Sequence, residues 1–116
     1  MTNHVPTLET CQKLQASGFP QGRSIFRYTK NGIVFNIREH PAGARICDAP
    51  LLTEILEQLP RSIEVDGVWG YFLRIEPMIP SSNWRFNYSH MKPIEAIHQN
   101  PAEAAALLWL ELKEDR

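Results

Sequence analysis

Residues 24–39 alternate between apolar and polar side chains on both sides of the pair Asn31-Gly32. Alternation with a period of two is typical of β-strands, and Asn-Gly favours the type I′ turn of a two-residue hairpin. We therefore predict a β-hairpin in which Thr29 faces Val34. One face, the predicted core face, holds Phe26, Tyr28, Ile33, Phe35 and Ile37, and the other holds Ile25, Arg27, Thr29, Val34, Asn36 and Arg38.

A first helix is predicted over Leu8–Ala16, before the hairpin. Thr7 is suited to cap its N-terminus because a hydroxyl can accept a hydrogen bond from the first turn. Gly18 stands where a left-handed residue ends many helices, and Phe19 would then pack back on Leu14. The thin apolar stripe of this segment indicates a peripheral helix.

Two more helices follow from apolar positions at helical spacing. The second is predicted to begin with Asp48 as its cap and to end at Pro60. The last begins at Asn100, with Pro101 and Glu103 in its first turn, which is a typical helix start. Its apolar surface is wide, which indicates either burial on two sides or an oligomer contact.

Further alternating runs predict strands at 63–65, 68–76 and 84–89, whereas residues 90–99 fit neither pattern clearly. The resulting order is αββαβββα. We therefore predict an α+β fold, with three helices against one antiparallel sheet of about five strands. The whole chain is expected to form a single domain, with residues 1–6 as a flexible arm.

The composition is that of an ordinary globular protein. Apolar residues make up 43% of the 116 residues and charged residues 22%, and the formal net charge is −1. This balance does not attract nucleic acid or anionic lipid to the chain as a whole. No apolar run is long enough for a membrane span, and the first residues lack the pattern of a signal peptide. We therefore expect a cytoplasmic protein in which Cys11 and Cys47 are reduced thiols.

Catalytic chemistry would have to use Cys47, which precedes the predicted second helix, with His40 or His90 as its base. No residues provide an evident oxyanion site, so a cysteine-dependent enzyme is the third hypothesis. The histidines and cysteines are not at metal-binding spacing. The sequence therefore predicts no metal, no other cofactor and no catalytic residue.

Residues 23–45 contain five basic residues and one acidic residue. The outer face of the predicted hairpin would present Arg27 and Arg38 to phosphates, and Trp84 or Tyr88 would stack on bases if exposed. The same aromatic residues alternate as core residues do, and basic strand residues also discourage edge pairing. Nucleic-acid binding through this hairpin is therefore the second hypothesis.

Four apolar residues exceed what a single core needs. Met78 and Ile79 lie in a predicted loop, and Trp109 and Leu110 widen the apolar surface of the last helix. Exposed apolar surface usually marks a site of protein contact. The first hypothesis is therefore a protein partner or a second copy of the chain, with a homodimer as one form of it. Alternatively, a larger sheet than the one predicted would cover both sides of the last helix.

Three segments together resemble short uncharacterised proteins of phage, prophage and bacterial genomes. They are Pro6–Gln21, which ends in Gly-Phe-Pro-Gln, Ala49–Pro60, which corresponds to an "ELL…LP" helix, and Asn100–Leu110, which corresponds to an "NPAEALA…LW" helix. The resemblance covers most of the helical parts of the chain and not its strands. It implies an accessory protein of mobile-element or bacterial origin, and it carries over no catalytic residues.

Overall fold

The alternating runs and the capped helical segments fold into an α+β structure with three helices, as predicted. The computed structural model describes residues 4–21, 24–30, 32–35, 46–65, 67–88 and 94–114. The helices are α1 (Leu8–Ala16), α2 (Leu52–Gln58) and α3 (Pro101–Glu114). The strands are β1 (Phe26–Thr29), β2 (Gly32–Phe35), β3 (Cys47–Ala49), β4 (Ser62–Val65), β5 (Val68–Pro77), β6 (Trp84–Tyr88) and β7 (Ile94–His98).

The described strands number seven and form two antiparallel sheets, where we had predicted about five strands in one sheet. The first sheet has the order β2-β1-β3, and the second has the order β4-β5-β6-β7. Strand β3 has three residues, too few for an alternating pattern, and its Asp48 and Pro50 are equally typical of a helix start. Strand β7 begins directly after Pro93, and a proline in such a run argues against a strand.

The first hairpin pairs in a register two residues away from the predicted one. Thr29 pairs with Gly32 and Tyr28 pairs with Ile33, so residues 30 and 31 connect the two strands. Thr29 donates its hydroxyl to the Gly32 carbonyl (3.0 Å), which supports this register. Gly32 has a φ of 114°, a conformation that glycine adopts without strain. A shift of two residues keeps Phe26, Tyr28 and Ile33 on one face, as predicted, because side chains alternate with the same period.

The face of β1 that was predicted to be open is buried at Arg27. Strand β3 pairs with the free side of β1, which becomes the central strand and places Arg27 opposite Asp48. Arg27 is 2% exposed and Asp48 is 1% exposed. The register places the two charged residues opposite each other, but Arg27 Nε and Nη2 make no hydrogen bond within the described part of the chain. This arrangement depends on β3, which the sequence pattern did not indicate.

Both ends of α1 are as predicted. At the N-terminus, the Thr7 hydroxyl accepts a hydrogen bond from the Thr10 N–H. At the C-terminus, Gly18 has a φ of 91°. The Phe19 N–H then donates to the Leu14 carbonyl (2.9 Å), which completes a Schellman motif.

Helix α2 begins at Leu52 rather than directly after an Asp48 cap. Asp48 belongs to β3, and its carboxylate accepts from the Ser24 N–H (3.3 Å). The Leu51 N–H donates instead to the Glu54 carboxylate (2.7 Å), so the third helical residue reaches back to the cap. Glu54 also accepts from the Ile25 N–H (3.1 Å), which fastens the start of α2 to the segment before β1.

Helix α3 lies at the centre of the structure and contacts α1, α2, β6 and β7. Its wide apolar surface is therefore buried on several sides, which is the first of the two explanations given for it. Small side chains let the neighbouring elements approach its backbone closely. Four alanines of this helix are fully buried: Ala102, Ala104, Ala105 and Ala106.

Glu103 joins the N-terminal ends of α1 and α3. Its side chain is 5% exposed, and its carboxylate accepts from the Thr7 N–H (2.8 Å) and from the Thr10 hydroxyl. Two helix N-termini provide a favourable field for this negative charge. Asn100 caps α3 as predicted, and its Nδ2 donates to the Val5 carbonyl (2.8 Å). We call the contact of Glu103 with Thr7 and Thr10 the Glu103 clasp.

The segment before α1 is packed, although residues 1–6 were expected to form a loose arm. Val5 and Pro6 are fully buried. The Pro6 carbonyl accepts a hydrogen bond from the Tyr28 hydroxyl (2.6 Å), and Cys11 Sγ lies 3.7 Å from the same oxygen. Residues 1–3 lie outside the described residues.

Candidate protein-interaction surface

The four-stranded sheet has one face covered by helices and an opposite face that carries several exposed side chains. Helix α3 packs on β6 and β7, and the inward side chains of Phe86 and Tyr88 are fully buried. Because side chains alternate along a strand, the residues between them project from the opposite side of the sheet. We call these residues the outer face: Phe72, Arg74, Glu76, Met78, Arg85, Asn87, Glu95 and Ile97.

A polar network occupies the middle of the outer face. Arg85 donates from Nε to Glu76 Oε1 (2.8 Å) and pairs with the same oxygen through Nη2. Arg85 Nη1 lies 4.0 Å from Glu95, and Asn87 Nδ2 donates to Glu76 (3.3 Å). The hydrogen bonds from Arg85 and Asn87, with the charge of Arg74, hold the pKa of Glu76 below its ordinary value. The two arginines and two glutamates of this face cancel in charge.

Asn87 has one polar atom that the network does not use. Its side chain is 5% exposed, and its Oδ1 makes no hydrogen bond within the described part of the chain. A buried acceptor without a donor costs about 1–3 kcal/mol. This atom is enclosed by the protein, so the unused acceptor is a cost of the fold rather than a contact point for another molecule.

Exposed apolar side chains flank the polar network. Phe72 is 63% exposed at one end of the outer face, and Ile97 is 39% exposed on β7. Ile79, in the loop that joins β5 and β6, is 85% exposed. Large apolar side chains next to satisfied polar groups are typical of surfaces that contact other proteins.

Hydrogen bonds fix the loop that carries Ile79. The Met78 N–H donates to the Asn83 carbonyl (3.0 Å), which extends the pairing of β5 and β6 by one step. Ser81 donates its hydroxyl to the Met78 carbonyl (2.6 Å) and accepts from the Asn83 N–H (3.3 Å). A loop ordered in this way loses little conformational freedom when a partner binds.

A separate groove lies on the inner side of the sheet, between α2 and β5. It has a volume of about 640 Å³, and Ile75, which is 44% exposed, lies at its open edge. Its apolar floor is an extension of the core, because Leu56 and Leu73 also pack against buried residues. Arg61 and Glu57 stand among its lining residues. The groove and the outer face are therefore on opposite sides of β5.

The predicted contact residues fall into two groups. Met78 and Ile79 lie at the end of the outer face and line a shared depression with Glu76 and Arg85. Trp109, in contrast, is 5% exposed, and its ring packs edge-to-face on Phe19 with 5.1 Å between centroids. Leu110 is half-buried against the core. Trp109 and Leu110 therefore belong to the packing of α3 and are not part of the candidate surface.

The residues of the nucleic-acid hypothesis do not form one accessible patch. Arg27 and Tyr88 are both buried, so neither can contact phosphates or stack on bases from solution. Trp84 is 37% exposed, but it lies on the inner side of the other sheet. Arg38 lies outside the described residues.

Cys47 is fully buried inside β3 and does not stand at a helix start. His40 and His90, its proposed bases, lie outside the described residues. Burial, with the nearby Cys47 and Glu103, raises the pKa of the Cys11 thiol far above its ordinary value. Within the described ranges, no three acidic, histidine or cysteine side chains are placed together to hold a metal ion.

Phe72, Arg74 and Asn87 were not among the residues singled out from the sequence. The alternation in β5 separates Phe72 and Arg74 from the aromatic and aliphatic positions between them, but alternation alone does not tell which face is covered. The register of β5, β6 and β7 is what brings the polar residues into rows.

None of the described helices has both the length and the apolar character that a membrane crossing requires. The chain matches no protein-family model, and no curated protein and no solved structure is significantly similar to it.

Proposed function

We propose that this chain is a small, non-enzymatic interaction protein that binds another protein chain through its outer face. The single observation that carries the proposal is that the exposed apolar side chains of Phe72 and Ile97 flank a charge-balanced, hydrogen-bonded polar network on one face of the sheet. Apolar residues around a hydrogen-bonded polar centre, on a rigid sheet, suit recognition of a folded protein surface. The accessory role in a phage, prophage or bacterial setting is part of this proposal and depends on the resemblance of the helical segments.

A cytoplasmic location also belongs to the proposal. Cys11 and Cys47 are both thiols and form no disulfide. Disulfides are uncommon in reducing compartments and frequent in secreted domains of this size. A cytoplasmic partner is therefore the one we expect.

The charge of the outer face favours a protein partner over nucleic acid. Its arginines, Arg74 and Arg85, are balanced by Glu76 and Glu95, and Arg85 is already hydrogen-bonded to Glu76. Affinity for a phosphate backbone depends on cations that the protein does not neutralise itself. A partner with side chains of both signs matches this face better.

The test compares three tagged baits in an extract of the source cells: wild type, Phe72→Ser and the matched control Ile25→Ser. Ile25 is a second large apolar residue, 51% exposed, on the segment that leads into the other sheet. Chemical crosslinking followed by quantitative mass spectrometry identifies the captured chains, including untagged copies of the protein itself. We expect Phe72→Ser to lose at least about 80% of the captured partner, because truncating a large aromatic contact residue weakens binding by more than about 1 kcal/mol. Ile25→Ser should capture as much as wild type.

Equal capture by wild type and Phe72→Ser would refute the outer face as the contact surface. Capture by wild type that does not exceed that of the tag alone would refute the proposal as a whole. A normal circular dichroism spectrum of each bait shows that the change of one exposed residue has not altered the fold.

A further inference from the structure

The outer face is self-complementary along β5. Its outward residues between 72 and 78 are, in order, apolar, basic, acidic and apolar: Phe72, Arg74, Glu76 and Met78. In a face-to-face dimer, the β5 strand of a second copy can lie over this one in the opposite direction, with the two Ile75 residues aligned. Arg74 then lies opposite the Glu76 of that copy. The same arrangement sets Phe72 against Met78. Each strand thus offers the other an opposite charge and an apolar contact at matching positions.

The neighbouring strands share the same centre. Ile75, Phe86 and Ala96 are register partners and form one row across the sheet. A two-fold axis along this row places Asn87 opposite the Arg85 of the second copy. Arg85 binds Glu76 through Nε and Nη2 within its own copy. The same arrangement therefore brings the polar network of each copy over that of the other.

We propose that the partner at the outer face is a second copy of this chain, bound face to face about a two-fold axis along the row Ile75–Phe86–Ala96. This inference rests on the proposed function and names its partner. Self-complementarity is the requirement for an isologous dimer, because each contact occurs twice. On β7 the axis sets Glu95 against Ile97, at the edge of the sheet, where water can reach the carboxylate.

The size of the surface sets the expected strength of the dimer. Strands β6 and β7 have five residues each, which corresponds to a length of roughly 17 Å. Three strands of this length, spaced roughly 4.8 Å apart, cover less area than a standard specific interface, and complexes of this size are weak or transient. We therefore expect a dissociation constant in the micromolar range.

The experiment is sedimentation equilibrium of the purified full chain from about 1 μM to about 1 mM, a range that brackets such an affinity. Arg74→Glu places two glutamates against each other on both sides of the axis and should weaken the dimer at least about tenfold. Glu76→Arg does the same with two arginines. An equimolar mixture of these two variants restores opposite charges in a heterodimer, so association should return. Arg61→Glu, a charge reversal at the groove on the inner side, is the matched control and should leave the dimer unchanged.

A wild-type chain that stays monomeric over the whole range would overturn the proposal, and so would a dimer indifferent to Arg74→Glu. Failure of the mixture to associate would overturn the assignment of Arg74 to Glu76 across the axis. A monomeric wild type that still captures a foreign protein through Phe72 would refute the dimer and leave the proposed function standing. A wild-type chain that neither self-associates nor captures a foreign protein would refute both the dimer and the proposed function.

Discussion

Replacing Glu103 by alanine tests whether the Glu103 clasp holds the N-terminal part of the chain on α3. The substitution removes an acceptor that the Thr7 N–H and the Thr10 hydroxyl share. A hydrogen bond to a charged group contributes about 1.5–3 kcal/mol, and a donor left without an acceptor in a buried place costs about 1–3 kcal/mol. The Thr10 hydroxyl already contacts the Thr7 hydroxyl and can turn to it. We therefore count one full loss and part of another, which gives about 3 kcal/mol.

The free energy of unfolding is measured by urea denaturation, followed by fluorescence and circular dichroism. A domain of this length has a total stability of roughly 6–17 kcal/mol, so Glu103→Ala remains folded but melts about 12 °C lower. Glu103→Gln retains one oxygen acceptor and should lose only about 1 kcal/mol. The control is Glu9→Ala on α1, where the side chain is 82% exposed and pairs with the exposed Lys13. It should change the stability by less than about 0.5 kcal/mol.

A loss below about 1 kcal/mol for Glu103→Ala would refute the reasoning, because the two donors would then have equally good alternatives. A double-mutant cycle with Thr10→Val separates the contact from general effects on the helix. We expect a coupling free energy of about 1–2 kcal/mol between the two positions, and a value near zero would show that they do not interact.

Two further predictions concern Gly18, at the end of α1, and Tyr28, in β1. Gly18→Ala should destabilise the protein by about 1–2 kcal/mol in urea denaturation, because a Cβ at a φ of 91° is strained while no atom lies within 4 Å of it. Gly18→Asn should be milder, and equal losses for both would contradict a backbone origin. Burial raises the pKa of Tyr28 to about 12 from an ordinary value of 10.0, so the unfolded chain releases this proton first. The free energy of unfolding should therefore fall as pH rises from about 10 to about 12, and Tyr28→Phe should reduce this fall. An unchanged pH slope in Tyr28→Phe would contradict the assignment.

Local chemistry explains what could be predicted of the fold. The cap at Thr7, the left-handed Gly18 and the first turn after Asn100 depend on residues next to one another in the chain, so the sequence alone specifies α1 and the start of α3. Strand β3 could not be predicted, because its three residues are held by pairing with β1 rather than by a pattern of their own. The predicted exposure of Arg27 was wrong for the same reason.

The candidate site was predictable only in part. Ile79 was predicted to be exposed because it is an apolar residue in a loop, and this inference requires no knowledge of the fold. Trp109 has the same apolar character, yet it is buried, since only tertiary packing decides which side of a helix is covered. The outer face depends on the register of three strands, and Asn87 becomes notable only when its hydrogen-bond partners can be counted.

The Glu103 clasp also has a consequence for biosynthesis. Thr7 and Glu103 are 96 residues apart in the chain, so α1 lacks its contacts with α3 while the residues between them are being made. At roughly 5–20 residues per second, translation of this interval takes on the order of 5–20 s. Throughout that time Leu14, which belongs to the same buried cluster as the apolar side chains of α3, lacks that part of its cover. The packing of α1 is therefore completed only when α3 has emerged from the ribosome.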